Sequence, residues 1–211
     1  MFEIEYKGAN SVVISTRKSK LITDPKLSLA GLKDLSVKGA VELATEGRFL
    51  VDDSEAILAI DRPGEYGVAS FDITGIPARR HLDAESEGKN STIYRIEAEG
   101  ARIGILGNIY EKLTDDQLEQ LGVLDILIIP VGGNGYTLDS TGAVGLVKAI
   151  DPKIVIPVHY ADNALKYEVP QCELAKFISE LSAPVETVSK YKYKQQTAMP
   201  VSLTIVEIVR S

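Results

Sequence analysis

The sequence is poor in the residues from which reactive sites are usually built, with one cysteine, two histidines and no tryptophan among 211 residues. A single cysteine, Cys172, excludes an internal disulfide and a cysteine-rich metal site. His81 and His159 stand far apart and form no HExxH motif, so zinc would have to draw most ligands from carboxylates or amides. The longest apolar runs are too short to cross a bilayer, and the alternating start MFEIEYKG is not typical of a signal peptide. We therefore expect a cytoplasmic protein with no membrane partner.

Positive charge is also scarce, since 23 lysines and arginines face 30 acidic residues and give a formal net charge of −7. Such a chain repels nucleic-acid phosphates and anionic surfaces. Its basic clusters, residues 17–20 and 190–194, flank predicted strands and are typical of solvated turns or edge strands. The sequence therefore predicts no nucleic-acid partner. With 45% hydrophobic residues, it predicts one globular domain over residues 1–211.

The first half of the chain is rich in predicted strands. Phe2, Ile4 and Tyr6 alternate with charged residues, as in a half-buried strand. Residues 26–38 are weakly helical, residues 63–67 resemble a turn, and the polar residues 79–90 resemble a mobile loop. Further strands are predicted at residues 12–16, 21–23, 40–44, 49–51, 56–60, 68–76, 92–98 and 102–106.

The second half mixes helices with buried strands. Thr114 and Gln117 fit a capping box that begins a helix ending near Leu121. Asp139 fits the N-cap of a second helix, and Pro170 suits the first turn of a third. Strands are predicted at residues 125–131, 153–158, 184–188 and 201–209. This order predicts an α/β (α+β) fold in which two sheets pack face to face with helices outside.

His159 is the most informative polar residue, because it ends the buried strand 153–158. Side chains converge at such strand ends, so His159 either lines a pocket or is a hydrogen-bonded structural residue. The glycines of residues 132–135 lack the GxGxxG spacing and the lysine of a phosphate loop. We interpret them as glycines that permit a tight turn with positive φ. A GxSxG elbow for a serine hydrolase is absent as well.

Several short motifs occur in a familiar order. They are ITDP at residues 22–25, RPGEYGV at 62–68, ITGIPA at 73–78, RIGILGN at 102–108, and the stretch 129–160. Over residues 1–161 the chain resembles the metallo-β-lactamase superfamily, in the branch of small metal-dependent hydrolases that includes ascorbate-6-phosphate lactonase-like proteins. The resemblance implies a four-layer αββα sandwich with a two-metal site along one edge. There a metal-bound hydroxide would attack an ester, lactone or phosphoester.

The ligands that this resemblance implies are largely replaced. The HxHxDH motif should follow the strand 40–44, but residues 45–50 are TEGRFL. Asn108 stands in place of a bridging aspartate, and a neutral amide cannot bridge two cations. His159 matches the last ligand, His81 matches another after a shift of one residue, and Asp24 matches an aspartate that supports the metal loop. We therefore expect a degenerate site with no bound cofactor, where zinc, if it binds at all, uses His159 and His81.

The first functional hypothesis is a pseudoenzyme that binds a small molecule or a protein. The resemblance brings Arg48, Arg79 and Arg80 toward the vacated metal pocket, where a guanidinium pairing with Asp24 or Glu65 would offset the missing cationic charge. These arginines would otherwise be solvated loop residues. The expected ligand pocket consists of Asn108, His81, Arg80, Arg48 and Glu65.

Two other hypotheses remain open. The chain could be a hydrolase of a lactone, ester or phosphoester with one metal or none, in which His159 is the general base and Asp24 orients it. Alternatively, it could be a structural subunit that forms a homo-oligomer through its helices or an edge strand.

Overall fold

A computed structural model describes residues 1–51, 55–83, 90–194 and 199–211 and contains two β-sheets. The smaller sheet comes mainly from the N-terminal part of the chain. In this sheet the strand order is β13-β1-β2-β3-β4-β5, and β3, β4 and β5 run parallel. The strands are β1 (Phe2–Gly8), β2 (Ser11–Thr16), β3 (Lys20–Thr23), β4 (Val41–Leu43), β5 (Leu58–Ile60) and β13 (Tyr191–Tyr193).

The larger sheet has eight strands in the order β12-β14-β11-β10-β9-β8-β7-β6. Strands β9, β10, β11, β14 and β12 are parallel, whereas β6 to β9 pair antiparallel. The carboxyl ends of β9, β10 and β11 therefore meet at one edge. The strands are β6 (Gly64–Val68), β7 (Phe71–Ala78), β8 (Ser91–Ala98), β9 (Ala101–Ile105), β10 (Ile126–Pro130), β11 (Ile154–Val158), β12 (Val185–Val188) and β14 (Thr204–Ile208).

Apolar side chains fill the space between the sheets and the space under the helices. One core cluster joins the inward faces of the two sheets, including Phe2, Tyr94 and Ile128. A second lies between the larger sheet and the helices α1 (Asp115–Leu121), α2 (Ser140–Ile150) and α3 (Leu174–Leu181). A smaller third cluster lies on the outer face of the small sheet. The predicted sandwich of two sheets with helices outside is confirmed.

The strongest local signals of the sequence form as predicted. Thr114 and Gln117 make the reciprocal hydrogen bonds of a capping box at the start of α1. The Asp139 side chain accepts a hydrogen bond from the Gly142 N–H and caps α2. The continuous apolar runs become β10 and β11, which are buried along their whole length. Among the described residues, no helix is long and apolar enough to span a membrane.

Several weaker predictions are wrong. The strand predicted at residues 49–51 is replaced by a 3₁₀ helix at Gly47–Phe49, which buries Phe49. The turn predicted at residues 63–67 is largely strand β6, because β7 offers it a partner. The helix predicted at residues 26–38 is only a 3₁₀ turn at Leu27–Ala30. Pro170 does not open α3, which starts at Leu174.

The polar stretch predicted as a mobile loop is ordered at its start. Arg80 forms a β-bridge with Ile109, and a 3₁₀ helix follows at His81–Asp83. The remainder of that prediction, residues 84–89, lies outside the described residues. Cys172 precedes α3 and is half-buried. Its backbone joins two loops, since its N–H donates to the Gly132 carbonyl and its carbonyl accepts from the Ala161 N–H.

Candidate functional site

The predicted site residues follow strands whose ends meet at one edge of the sandwich. Asp24 directly follows β3 and His159 directly follows β11, whereas Asn108 lies shortly after the end of β9. Thr45, which follows β4, links the two sheets because its carbonyl accepts hydrogen bonds from the Thr92 N–H and the Ser91 hydroxyl. The carboxyl ends of strands from both sheets therefore form the floor of one site.

Asp24 anchors the start of the segment of residues 45–50 through hydrogen bonds to Thr45. Its backbone is in the left-handed region at φ 43°, and its carboxylate is buried. One carboxylate oxygen accepts from the Thr45 N–H and the other from the Thr45 hydroxyl, both at 2.7 Å. Burial raises the Asp24 pKa to about 7, against the lowering effect of these hydrogen bonds. Asp24 thus holds the loop in place, as the family resemblance implies.

His159 is held in one orientation by Gln171. The Gln171 Nε2 donates to the Val169 carbonyl, which leaves Gln171 Oε1 facing His159 Nδ1 at 3.2 Å. Because Oε1 is an acceptor, Nδ1 carries the hydrogen and Nε2 keeps a lone pair. The prediction that Asp24 orients His159 is therefore wrong. Burial also lowers the His159 pKa to about 4, so the imidazole is neutral at neutral pH.

A small pocket of about 40 Å³ lies beside His159. The imidazole packs against the rings of Tyr136 and Tyr167, with centroid distances of 5.6 and 4.7 Å. Phe49 and the 3₁₀ turn Leu27–Ala30 add apolar walls, so the pocket is lined by apolar and aromatic surface with a few polar groups, as ligand sites usually are. The lining residues are Ala9, Asn10, Asp24, Lys26, Leu27, Leu29, Ala30, Phe49, Tyr136, His159, Tyr167 and Glu168.

The segment expected to carry the metal motif carries an ion-pair cluster instead. Glu46 is 3% exposed, and its carboxylate lies 3.0 Å from Arg48 Nε and 3.4 Å from Arg80 Nη1. Arg48 also donates to the Tyr136 hydroxyl at 2.7 Å and lies 3.7 Å from Glu168. Arg48 therefore contacts two residues of the pocket wall, whereas Arg80 contacts Glu46, and neither arginine lines the pocket or pairs with Asp24 or Glu65.

Asn108 is tied to two other polar residues. The Asn10 amide donates to Asn108 Oδ1 at 2.9 Å, and the His81 N–H donates to the Asn108 carbonyl at 2.9 Å. Three buried atoms of this group have no hydrogen-bond partner among the described residues, namely Asn10 Oδ1, Asn108 Nδ2 and His81 Nδ1. Unsatisfied buried polar atoms are rare and are often completed by water or a ligand. This corner therefore still has unused hydrogen-bonding capacity.

None of the five residues expected to form the ligand pocket lines it, and two of the predicted residues lie well away from it. Arg79 stacks over the Tyr110 ring at 3.8 Å and lines a separate surface groove. Glu65 is exposed on the edge strand β6, opposite Thr74. Its neighbour Tyr66 packs against the core between the sheets, and alternation along the strand turns Glu65 to the other face. Glu65 is therefore not part of the ligand pocket.

The described residues do not fit a dinuclear zinc centre. No group of three or more histidine, cysteine, aspartate or glutamate side chains within them could hold a metal ion. The segment 45–50 supplies one carboxylate, Glu46, which is already paired with two guanidinium groups. Zinc normally draws at least three strong protein donors, so the donor set is incomplete.

The glycine-rich turn brings the aromatic wall close to His159. Gly133 and Gly135 have positive φ angles of 71° and 76°, which confirms the interpretation of a tight turn. Gly132 has a second role, because an added Cβ would lie 2.2 Å from the His159 carbonyl oxygen and 2.2 Å from Gln171 Oε1. Only glycine allows the loop after β10 to approach His159 this closely.

Sequence reasoning missed five residues that shape the site. Glu46 could have been found, because it stands two residues before Arg48 in a segment already expected to line the pocket. Tyr136 directly follows the glycine turn, which is a weaker signal. Nothing in the local sequence marks Asn10, Tyr167 or Gln171, since only the folded chain brings them to His159.

The comparisons with known proteins agree with this architecture. A family model described as "Beta-lactamase superfamily domain" matches residues 3–159. The chain belongs to the metallo-β-lactamase superfamily. A Thermotoga maritima protein of this superfamily shares the fold, with a TM-score of 0.77, 22% identity, and coverage of 99% of this chain and 100% of that one. The metallo hydrolase Igni18 of Ignicoccus hospitalis gives a TM-score of 0.63 at 16% identity, over 86% of this chain and 90% of that one.

Curated relatives match part of the chain. A UPF0173 metal-dependent hydrolase of Archaeoglobus fulgidus is 25% identical over 137 residues, which are 62% of this chain and 58% of that protein. A relative of the same name from Thermococcus onnurineus is 29% identical over 120 residues, which are 53% of this chain and 51% of that protein. The matches thus span little more than half the length of these relatives.

Proposed function

We propose that this member of the metallo-β-lactamase superfamily binds a small molecule in the pocket beside His159 and does not act as a dinuclear zinc hydrolase. The observation that carries the proposal is the ion-pair cluster in which Glu46, from the segment where the metal motif is expected, pairs with Arg48 of the same segment and with Arg80. Guanidinium groups supply positive charge there without offering a metal ligand. The protein therefore keeps a pocket at the family's site with different chemistry.

The curated relatives are named metal-dependent hydrolases, and the proposal departs from that name for a physical reason. A bridging position needs a carboxylate, whereas Asn108 offers an amide whose oxygen already accepts from Asn10. His159 offers one nitrogen, Nε2, as a donor to a metal. The ascorbate-6-phosphate lactonase-like branch, a cytoplasmic location and a homo-oligomeric state stay predictions beside this proposal.

A hydrolysis panel combined with ligand-detected NMR tests the proposal. Protein purified without added zinc would be assayed on lactones, phosphoesters and thioesters, and then screened against a fragment mixture. We expect no turnover above that of a heat-inactivated sample, together with fragments whose binding is lost in Tyr136→Ala. Turnover that is abolished by a chelator and restored by zinc would contradict the proposal.

A second candidate function is metal-free hydrolysis with His159 as general base. The observation that favours it is the Nε2 lone pair of a neutral imidazole beside a pocket. Its low pKa makes His159 a weak base, which argues against efficient catalysis. If this candidate is right, His159→Ala abolishes a chelator-resistant hydrolytic activity while Tyr136→Phe retains it. Light scattering would separately establish whether the chain self-associates.

A further inference from the structure

A surface groove of about 360 Å³ lies between the start of α1 and the segment that follows β7. Arg79 and Arg80 are neighbours in this segment, which is extended because Arg80 forms a β-bridge with Ile109. Neighbouring side chains of an extended segment point to opposite faces. Arg80 turns to Glu46, whereas Arg79 turns to the groove. The groove therefore shares no described lining residue with the pocket beside His159.

The guanidinium group of Arg79 is oriented but has no anionic partner. It lies over the Tyr110 ring at 3.8 Å from the centroid, and the Tyr110 N–H donates to the Arg79 carbonyl at 2.9 Å. Stacking covers one face of the guanidinium and leaves the N–H groups at its edge free. No ion pair or side-chain hydrogen bond joins Arg79 to another described residue. A fork held in this way suits the bidentate binding of an anion.

The charged groups that line the groove are all positive. Lys112 is exposed and adds a second cation to Arg79, and no described aspartate or glutamate lines the groove. Of the carboxylates close in sequence, Glu111 turns toward α2, Asp116 lines a different groove, and the exposed Asp115 does not line this one. The whole chain carries a formal net charge of −7, so this groove is a local exception.

The rest of the groove suits a small organic ligand. Ala78, Ile109 and Leu113 supply apolar surface. The Thr114 hydroxyl accepts from the Gln117 N–H at 3.2 Å, which leaves its own proton available to a ligand oxygen. The volume lies within the usual range of ligand sites, roughly 300–1,000 Å³. Two cations attract a dianion more strongly than a monoanion, and a phosphate monoester carries close to two charges near neutral pH.

We propose that this groove binds a small organic phosphate, in which a dianionic head group is attached to a short apolar body. The Arg79 fork binds two oxygens of the head group, Lys112 supplies the second positive charge, and the Thr114 hydroxyl donates to a further oxygen. The apolar body packs against Leu113. This site is independent of the proposed function, so the failure of either proposal leaves the other standing.

Two probes of matched shape and different charge test the ligand class. Phenylphosphonate and benzenesulfonate both carry three oxygens on a phenyl ring, but only the phosphonate becomes a dianion. Each would be titrated into the full ¹⁵N-labelled chain at pH 8.0 and followed by NMR. We expect phenylphosphonate to bind at least about threefold more tightly, because it carries the second charge. Its shift changes should centre on the amides of residues 78–80 and 109–114. Equal or tighter binding of benzenesulfonate, or shift changes centred elsewhere, would overturn the inference.

Charge variants assign the binding to the groove. Arg79→Met should weaken phenylphosphonate binding at least about tenfold, and Arg79→Lys should fall between it and the unmodified chain, because lysine keeps the charge but not the fork. Lys112→Met, at an exposed position that tolerates substitution, should weaken binding about threefold. Arg17→Met, in the exposed turn between β2 and β3, is the matched control and should change nothing. Unchanged binding in Arg79→Met or in Lys112→Met would overturn the inference.

Discussion

Asp24 and His159 are buried ionisable residues whose pKa values are shifted in opposite directions. Desolvation favours the neutral form of each, so it raises the pKa of the carboxyl group and lowers the pKa of the imidazole. At neutral pH His159 is therefore uncharged, and Asp24 is close to its midpoint. These two residues make the stability of the site dependent on pH.

The Asp24 pKa, raised from 3.8 to about 7, predicts a loss of stability as pH rises. A group whose folded-state pKa is raised contributes stability that is full below its unfolded pKa and is lost through its folded pKa. Asp24→Asn should therefore remove a fall in unfolding free energy on the order of 3 kcal/mol between pH 5 and pH 8, a fall that the unmodified chain partly offsets because the lowered His159 pKa adds stability as pH rises toward 6.5. Urea denaturation across this range measures it.

The exposed variant Asp72→Asn is the control for this experiment, since it removes a carboxyl group without changing a buried one. It should keep the pH profile of the unmodified chain. An Asp24→Asn profile with the same shape as the original would show that Asp24 does not contribute to the pH dependence.

The buried carboxylate of Glu46 predicts an asymmetric response to mutation. Arg48→Met leaves Glu46 buried with Arg80 as its remaining guanidinium partner, and should cost about 1–2 kcal/mol after allowance for the one-third exposure of Arg48. Glu46→Gln removes the buried charge itself, so adding it to Arg48→Met should recover part of that loss. Chemical denaturation of the two single variants and the double variant measures the coupling. Purely additive effects would mean that the ion pair contributes nothing to stability.

At the scale of secondary structure elements, the sequence predicts what local chemistry determines. The capping box of α1, the Asp139 cap of α2 and the fully apolar strands β10 and β11 are all specified by residues close in sequence. The strand β6 is different, because a proline–glycine turn signal precedes a segment that pairs only when β7 is in place. Short elements of this kind depend on tertiary contacts.

The loop between β10 and α2 gives the clearest prediction for an element. Gly132→Ala places a Cβ 2.2 Å from the His159 carbonyl oxygen, which the backbone can relieve only by moving the loop. We expect a loss of about 2 kcal/mol or more and weaker packing of Tyr136 on His159. Thermal denaturation measures the loss.

Gly145→Ala is the matched substitution within α2, where nothing lies within 4 Å of the added Cβ. It should stabilise the protein by roughly 0.5–1 kcal/mol, because alanine is the better helix former. If Gly132→Ala is tolerated as well as Gly145→Ala, the close approach of the loop to His159 does not constrain the fold.

At the scale of the whole molecule, the sequence predicts the fold class more completely than it predicts the chemistry of the site. Ordered short motifs and buried strands were sufficient to indicate a metallo-β-lactamase sandwich, and the fold neighbours agree. The sequence also indicated that residues 45–50 lack the metal motif. It could not indicate which charges meet there, because Glu46, Arg80 and Tyr136 lie far apart in the chain and come together only when both sheets pack.

A zinc titration monitored by calorimetry is the most direct test of the central claim, which is that ion pairs have replaced the metal centre. Metal-free protein would be titrated with zinc at pH 7.5, with elemental analysis after buffer exchange. We predict no site with a dissociation constant below about 1 µM and less than one zinc per chain, because the described residues lack three convergent strong donors. Two tightly held zinc ions per chain would contradict the account.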